Sequence, residues 1–266
     1  MFNQRQQRYL SYFIKLSVCI TGLVSSLAMA SNTFSEQQVQ QMLSTADSFR
    51  LQDDAAKVVS LVTLYQHNEV DKTRQYNVYT RANRQSLVIF KSAVEAGQKM
   101  LMLGDNYWLQ MPKTRRPIRI TPMQKLLGEA SVGDISTLAW RYDYKASWYA
   151  NENISDVSGK SVAAYQLKLI AVTAGVSYQK IDLWIDKLTY FPLRADLYLA
   201  SGKLAKQAVF SQGIRDDKPA VVAMTLLDSI QPSKKTVIEY QQVVPWKLDD
   251  KYYTPSFLSR SNTTEL

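Results

Sequence analysis

Little in this sequence is equipped for catalysis. It contains one cysteine and one histidine in 266 residues. A His-centred triad or a zinc site would have to be assembled around His67 without a local partner motif. His67 therefore reads as an exposed residue at a strand-to-turn junction. No G-x-S-x-G, H-E-x-x-H, Walker A or dinucleotide-binding glycine pattern occurs. The acidic pairs Asp53-Asp54 and Asp216-Asp217 sit at element ends beside Lys57 and Lys218, as turn and cap residues do. A hydrolase would need carboxylates converging from different strands, with shifted pKa values. The expectation is a protein that is not an enzyme and takes no cofactor and no metal.

Acidic residues are missing before Glu36, whereas Arg5, Arg8 and Lys15 precede a short apolar run, Leu16–Leu27. Ala28-Met29-Ala30 then supplies a small-x-small pattern before Ser31. Residues 1–30 thus read as a cleaved secretory signal peptide, and residues 31–266 as a single domain in the periplasm. A spanning anchor would need about 20 apolar residues, and Lys15 closes this run too early. Cys19 follows Val18 inside the apolar run rather than a small residue after it, so lipidation is not expected. Cleavage leaves a chain without cysteine, hence without a disulfide or thiol nucleophile. It also takes the formal charge from +9 to +6, because three basic residues and no acidic ones leave. In an exported protein such a surplus suits anionic lipid headgroups or plain solubility, and no nucleic-acid partner is expected.

Gly and Pro are not enriched, and no repeat, low-complexity tract or linker divides the chain. What is present is a strand-and-turn rhythm. Ser35 and Gln38 form a capping box opening a helix with Val39, Met42, Leu43 and Ala46 on one stripe. From Ala56 the period becomes two. Strands are expected at 56–67, 70–81, 84–91, 99–103, 106–111, 161–172, 178–186, 194–200, 206–214, 221–230 and 235–243. Tight turns between them indicate an antiparallel meander. Residues 143–153, aromatic and polar, resist assignment. In 194–199, Ala195, Leu197 and Leu199 alternate with Arg194, Asp196 and Tyr198, giving one apolar and one solvated face.

The run 104–140 interrupts the rhythm. Gly104-Asp105 turns into a strand bearing Tyr107 and Trp108, and Pro112 ends it. Lys113, Arg115, Arg116 and Arg119 place four cations in seven positions. Such density suits phosphate or carboxylate groups, although a solvated loop is the plainer reading. Thr121-Pro122 is expected to cap a short helix with Met123, Leu126 and Leu127 as its apolar edge and Gly128 as its stop. Met100, Met102, Met111 and Met123 cluster here, as suits either an irregular lipid chain or ordinary core filling.

The segment Tyr107-Trp108-Leu109-Gln110-Met111-Pro112-Lys113, with Arg115-Arg116 and Arg119-Ile120, resembles the aromatic strand, Pro-Lys and basic loop of the outer-membrane lipoprotein-sorting family, the LolA/LolB-like group. Gly133-Asp134-Ile135-Ser136 is similar to its Gly-Ser-Asp-Phe segment, without the Ser and with Ile135 for the aromatic. Trp184-Ile185-Asp186-Lys187, Phe191-Pro192-Leu193-Arg194, Tyr198 and Gly202-Lys203-Leu204 with Lys206 match a second block, and Lys235-Thr236-Val237 and 250–260 complete it. The resemblance implies a mainly β fold, a half-open antiparallel β-barrel of about eleven strands with a few helices forming a lid. It further implies a monomeric, non-enzymatic carrier that binds the acyl chains of a lipid or lipoprotein, with an inner-membrane exporter of the resistance-nodulation-division type as an associated partner. Trp108, Met111, Lys113, Arg115, Arg116, Arg119, Met123, Leu126 and Leu127 are then the expected lipid- or partner-binding residues. The alternative is a protein-interaction module, an envelope sensor or exporter accessory, on the same fold.

Overall fold

The computed structural model describes residues 34–51, 55–114, 116–136, 139–227, 233–260 and 266. The expected signal segment with Cys19, the pair Asp53-Asp54 and Arg115 lie outside them. Helix α1 (Glu36–Ser48) begins with both halves of the capping box. The Gln38 N–H donates to Ser35 Oγ at 3.2 Å, and the Ser35 N–H donates to Gln38 Oε1 at 2.8 Å. Its buried stripe is Val39, Met42, Leu43 and Ala46, and it lies against the strand Tyr144–Ser155.

The strands follow as β1 (Ala56–Gln66), β2 (Glu69–Arg81), β3 (Gln85–Phe90), β4 (Lys99–Leu103), β5 (Asn106–Gln110), β6 (Ile118–Ile120), β7 (Lys125–Leu127) and β8 (Ala130–Ser131). After α2 (Val132–Ser136) come β9 (Tyr144–Ser155), β10 (Ser161–Ala171), β11 (Lys180–Asp186), β12 (Pro192–Tyr198), β13 (Leu204–Arg215), β14 (Lys218–Leu227) and β15 (Lys234–Pro245), with α3 (Pro255–Leu258) near the C-terminus. Thirteen strands form one antiparallel sheet in the order β6-β5-β4-β3-β2-β1-β15-β14-β13-β12-β11-β10-β9. The eleven expected strands are all in it. The additions are β6, too short to show a period, and β9, whose alternation is masked by a polar exposed face.

The sheet curls without closing: its outermost strands are β6 and β9. Bulges at Val59/Ser60 and Leu64/Tyr65 in β1 bend its middle. Side chains then bridge the gap between its ends. The Tyr107 hydroxyl donates to Gly175 O at 3.1 Å, and Arg84 Nη2 donates to the same oxygen at 3.1 Å. Arg84 also pairs with the buried Asp143 and, at 3.4 Å, with Asp105. Two hairpins turn on two-residue loops with both residues left-handed: His67-Asn68 (φ 53° and 65°) and Asp216-Asp217 (φ 49° and 59°). His, Asn and Asp tolerate this region best among residues with a side chain. The one histidine is thus an exposed turn residue.

The helix expected over 121–127 is not there. Lys125–Leu127 is a strand, paired to Ala130–Ser131 across a two-residue loop whose first member, Gly128, has φ 54°. Glycine first in such a loop is the type II′ hairpin requirement, so Gly128 turns a hairpin rather than stopping a helix. The helix comes next, at α2, where a loop was expected. At its start the Ser131 N–H donates to Asp134 Oδ2 at 2.8 Å, one half of a capping box.

Residues Phe34–Leu266 cluster as one unit with two apolar cores, one on each face of the sheet. The outer core lies over β2–β5. Tyr79, Leu87, Ile89 and Leu101 are covered there by Leu248, Tyr253, Phe257 and Leu258 of the C-terminal strap. That strap is fixed by the Tyr253 hydroxyl donating to Tyr79 O at 3.3 Å and by Arg81 stacked 3.9 Å over the Tyr253 ring. The rest of the outer face is more polar, with a charged ladder that includes Arg194 on Asp196 at 2.9 Å and on the Trp184 ring at 4.5 Å.

Candidate functional site

The inner face of the sheet is built by the period-two pattern. Val58 and Val62 from β1, Tyr76 and Val78 from β2, Val88 and Phe90 from β3, and Met100 and Met102 from β4 join Leu167, Leu183, Ala195, Leu197, Phe210 and Ile238 from the far strands. Almost every one is fully buried. Their cover is α1, the β7–β8 hairpin and α2: α1 rests on β9, β7 on β1, and α2 on β2 and β3. Apolar contact alone is non-directional and would not fix such a cover in place.

Two buried polar clusters supply the direction. In the first, Asp47 of α1 accepts from the backbone N–H groups of Trp140 at 2.7 Å and Arg141 at 2.6 Å through Oδ2. Burial pushes its carboxyl up to about 6, against the opposing pull of the Arg50 charge and those two N–H groups. The Arg50 guanidinium lies 4.0 Å over the Trp140 ring, with Nη1 3.9 Å from Asp47 Oδ1. In the second, Asp134 of α2 accepts from Ser131 Oγ at 2.7 Å, from the Tyr178 hydroxyl at 2.7 Å and from Lys206 Nζ at 2.9 Å. Lys206 projects from β13 and also donates to Glu129 O in the hairpin loop. It therefore ties the β7–β8 hairpin and α2 to the sheet. Burial and the adjacent Asp134 charge hold the Tyr178 phenol well above its ordinary range. A cavity of ≈ 40 Å³ lies between the clusters, lined by Arg50, Asp134, Trp140, Tyr144 and Tyr178 and by apolar Val176, Leu197, Phe210 and Met224.

Comparison with known proteins places this arrangement. A family profile described as an uncharacterized protein matches residues 82–260. A LolA superfamily protein from Nitrosomonas europaea superposes with a TM-score of 0.73 at 28% identity, over 81% of this chain and 97% of its own. The chain belongs to that family and to the LolA-like group. An outer membrane lipoprotein-sorting protein domain from Vibrio parahaemolyticus has the same fold, with a TM-score of 0.65 at 17% identity over 85% of this chain and 100% of its own. So has a DUF1329 family protein from Desulfovibrio piger, with 0.66 at 21% over 84% and 98%. No curated protein matches the sequence.

Of the nine residues singled out in this LolA-like chain, the eight that are described fall into three places. Leu127 is buried in the inner core, with Met123 and Leu126 packed against it. Trp108 lies on the other face, against the outer core, and carries Arg119 at 4.8 Å over its ring. Lys113, Arg116 and Arg119 are exposed around β6, and Met111 is half-buried beside them, its carbonyl accepting from the Thr114 N–H at 3.0 Å. The structure does not gather them into one pocket. Missing from that set are Asp47, Arg50, Tyr178 and Lys206, which line or lock the inner face. None of these four has a local signal; among their partners only Asp134 has one, the spacing Ser131-x-x-Asp134. Among the described residues no group of three or more His, Cys, Asp or Glu is placed to hold a metal ion, and no helix is long and apolar enough to cross a membrane.

Proposed function

We propose that the protein is an exported, non-enzymatic carrier that holds the acyl chain of a lipid or lipoprotein between the inner face of its sheet and the cover formed by α1, the β7–β8 hairpin and α2. The supporting observation is the inner core itself. One apolar cluster spans the face from β4 to β9, and its cover is attached by a few buried polar contacts. Each methylene that replaces cover side chains against this face gains about 0.8 kcal/mol over its place in water. The closed cavity, ≈ 40 Å³, is too small for a chain, so loading requires the cover to move. Asp47 is fully buried and engaged by two backbone donors, and Asp134 by Lys206 and three further donors. Both act as locks rather than as a catalytic pair. Titration with a fluorescent long-chain fatty acid should give saturable uptake that unlabelled hexadecanoate displaces. No saturable uptake would end the carrier reading.

A protein-interaction role at the rim has its own observation. Lys113 and Arg116 are exposed next to Ile118, which is 43% exposed on the terminal strand β6. If a partner docks there, Lys113→Glu/Arg116→Glu abolishes the complex and leaves fatty-acid uptake unchanged.

A further inference from the structure

We propose that Arg50 is the counter-ion for the carboxylate of an acyl ligand, whose head enters the cavity between α1, α2 and the sheet. The inference deepens the carrier reading and rests on it. Arg50 follows α1 and is 5% exposed. A guanidinium carries five N–H donors and keeps its charge at any physiological pH. Here Nε and Nη1 have no hydrogen-bond acceptor among the described residues. Asp47, the nearest carboxylate, has turned Oδ2 to the Trp140 and Arg141 backbone and leaves Oδ1 3.9 Å from Nη1, beyond hydrogen-bond range. The guanidinium face is held instead by rings, Trp140 at 4.0 Å and Phe210 at 5.9 Å. The buried Tyr240 hydroxyl also lies beside the guanidinium, but rings and a neutral hydroxyl bring no anionic acceptor to the fork.

Arg50 lines the cavity described above, and the rest of the lining says what kind of group fits. The other charged residue in the wall, Asp134, is already neutralised by Lys206 and holds three further donors, so its acceptor capacity is directed away from a ligand. Val176, Leu197, Phe210 and Met224 are apolar and suit the first methylenes of a chain. At ≈ 40 Å³ the space takes about three water-sized groups, enough for a carboxylate and too little for a glycerophosphate head. A planar carboxylate also matches the guanidinium fork in a way a carbonyl does not.

The test compares hexadecanoate, methyl hexadecanoate and hexadecyl phosphate as displacers of a fluorescent fatty acid, in the parent protein and in Arg50→Met and Arg50→Lys. The parent should prefer hexadecanoate over its methyl ester by about tenfold or more. Arg50→Met should lose that preference while binding the ester within about twofold of the parent, and Arg50→Lys should restore part of it. Equal binding of acid and ester by the parent overturns the inference while leaving the carrier reading standing, and needs no folded variant. Binding of none of the three overturns both. An Arg50-dependent preference for hexadecyl phosphate over hexadecanoate overturns the choice of carboxylate.

Discussion

Replacing Lys206 by Met removes the buried cation that ties α2 and the β7–β8 hairpin to the sheet. Both side chains of the Lys206–Asp134 pair are almost wholly buried, at 4% and 3% exposure. Breaking such a pair from one side leaves an uncompensated charge and costs about 3–5 kcal/mol. Asp134 keeps its donors from Ser131 and Tyr178, so the expected loss lies at the low end, about 3 kcal/mol. Asp134→Asn strands Lys206 in the same way and should lose a similar amount. The double variant removes both charges together. Its loss should fall short of the sum of the singles by about 2 kcal/mol or more, the signature of a direct contact. Urea unfolding of the four proteins measures this. Hydrogen exchange over 123–136 should accelerate in Lys206→Met more than exchange in β1, because the cover opens before the sheet unfolds. Additive losses, or uniform acceleration across the sheet, would refute the idea that this pair latches the cover.

Other perturbations have equally defined outcomes. Asp47 holds its proton up to about pH 6 in the folded chain, against an ordinary value of 3.8. Its contribution is therefore most favourable below about pH 4 and is lost as pH rises through about 6, by roughly 3 kcal/mol. Asp47→Asn keeps an acceptor for the Trp140 and Arg141 N–H groups, so urea stability between pH 4 and 7 should fall less steeply than in the parent. An unchanged slope would contradict this. Gly175→Ala places a methyl 2.4 Å from the Asp105 Cα, which forces the β4–β5 turn away from the loop that bridges the open sheet; a loss of about 1–3 kcal/mol is expected in thermal unfolding. Lys113→Glu/Arg116→Glu changes only exposed side chains and should leave stability within about 0.5 kcal/mol of the parent. It should weaken co-sedimentation with anionic vesicles if the rim meets a membrane.

The sheet was largely readable from the chain because side chains alternate along a strand, and turn residues such as His67-Asn68 and Asp216-Asp217 mark where it reverses. Strand β9 was not, because its outward positions are polar or charged and its inward apolar ones few. The cover was misread for a related reason. Met123, Leu126 and Leu127 fit a helical stripe and a bulged hairpin equally well over so few residues, and only the left-handed Gly128 decides between them. The inner-face polar residues were the least legible. Asp47, Arg50, Tyr178 and Lys206 are far apart in sequence, and nothing local distinguishes them from surface charges. They become a unit only when α1 and β13 meet across α2. The basic run 113–119 was conspicuous for the opposite reason, since its charges are adjacent in sequence, and the structure leaves its described members exposed at the rim.

The most direct test of the account is native mass spectrometry, with lipid extraction, of the protein isolated from a periplasmic extract without detergent. A carrier should retain a stoichiometric acyl-bearing molecule, and its mass should disappear when the protein is unfolded and refolded in lipid-free buffer. Protein that is repeatedly free of bound lipid, from cells in which it is folded and abundant, would contradict the claim that the inner face exists to hold an acyl chain.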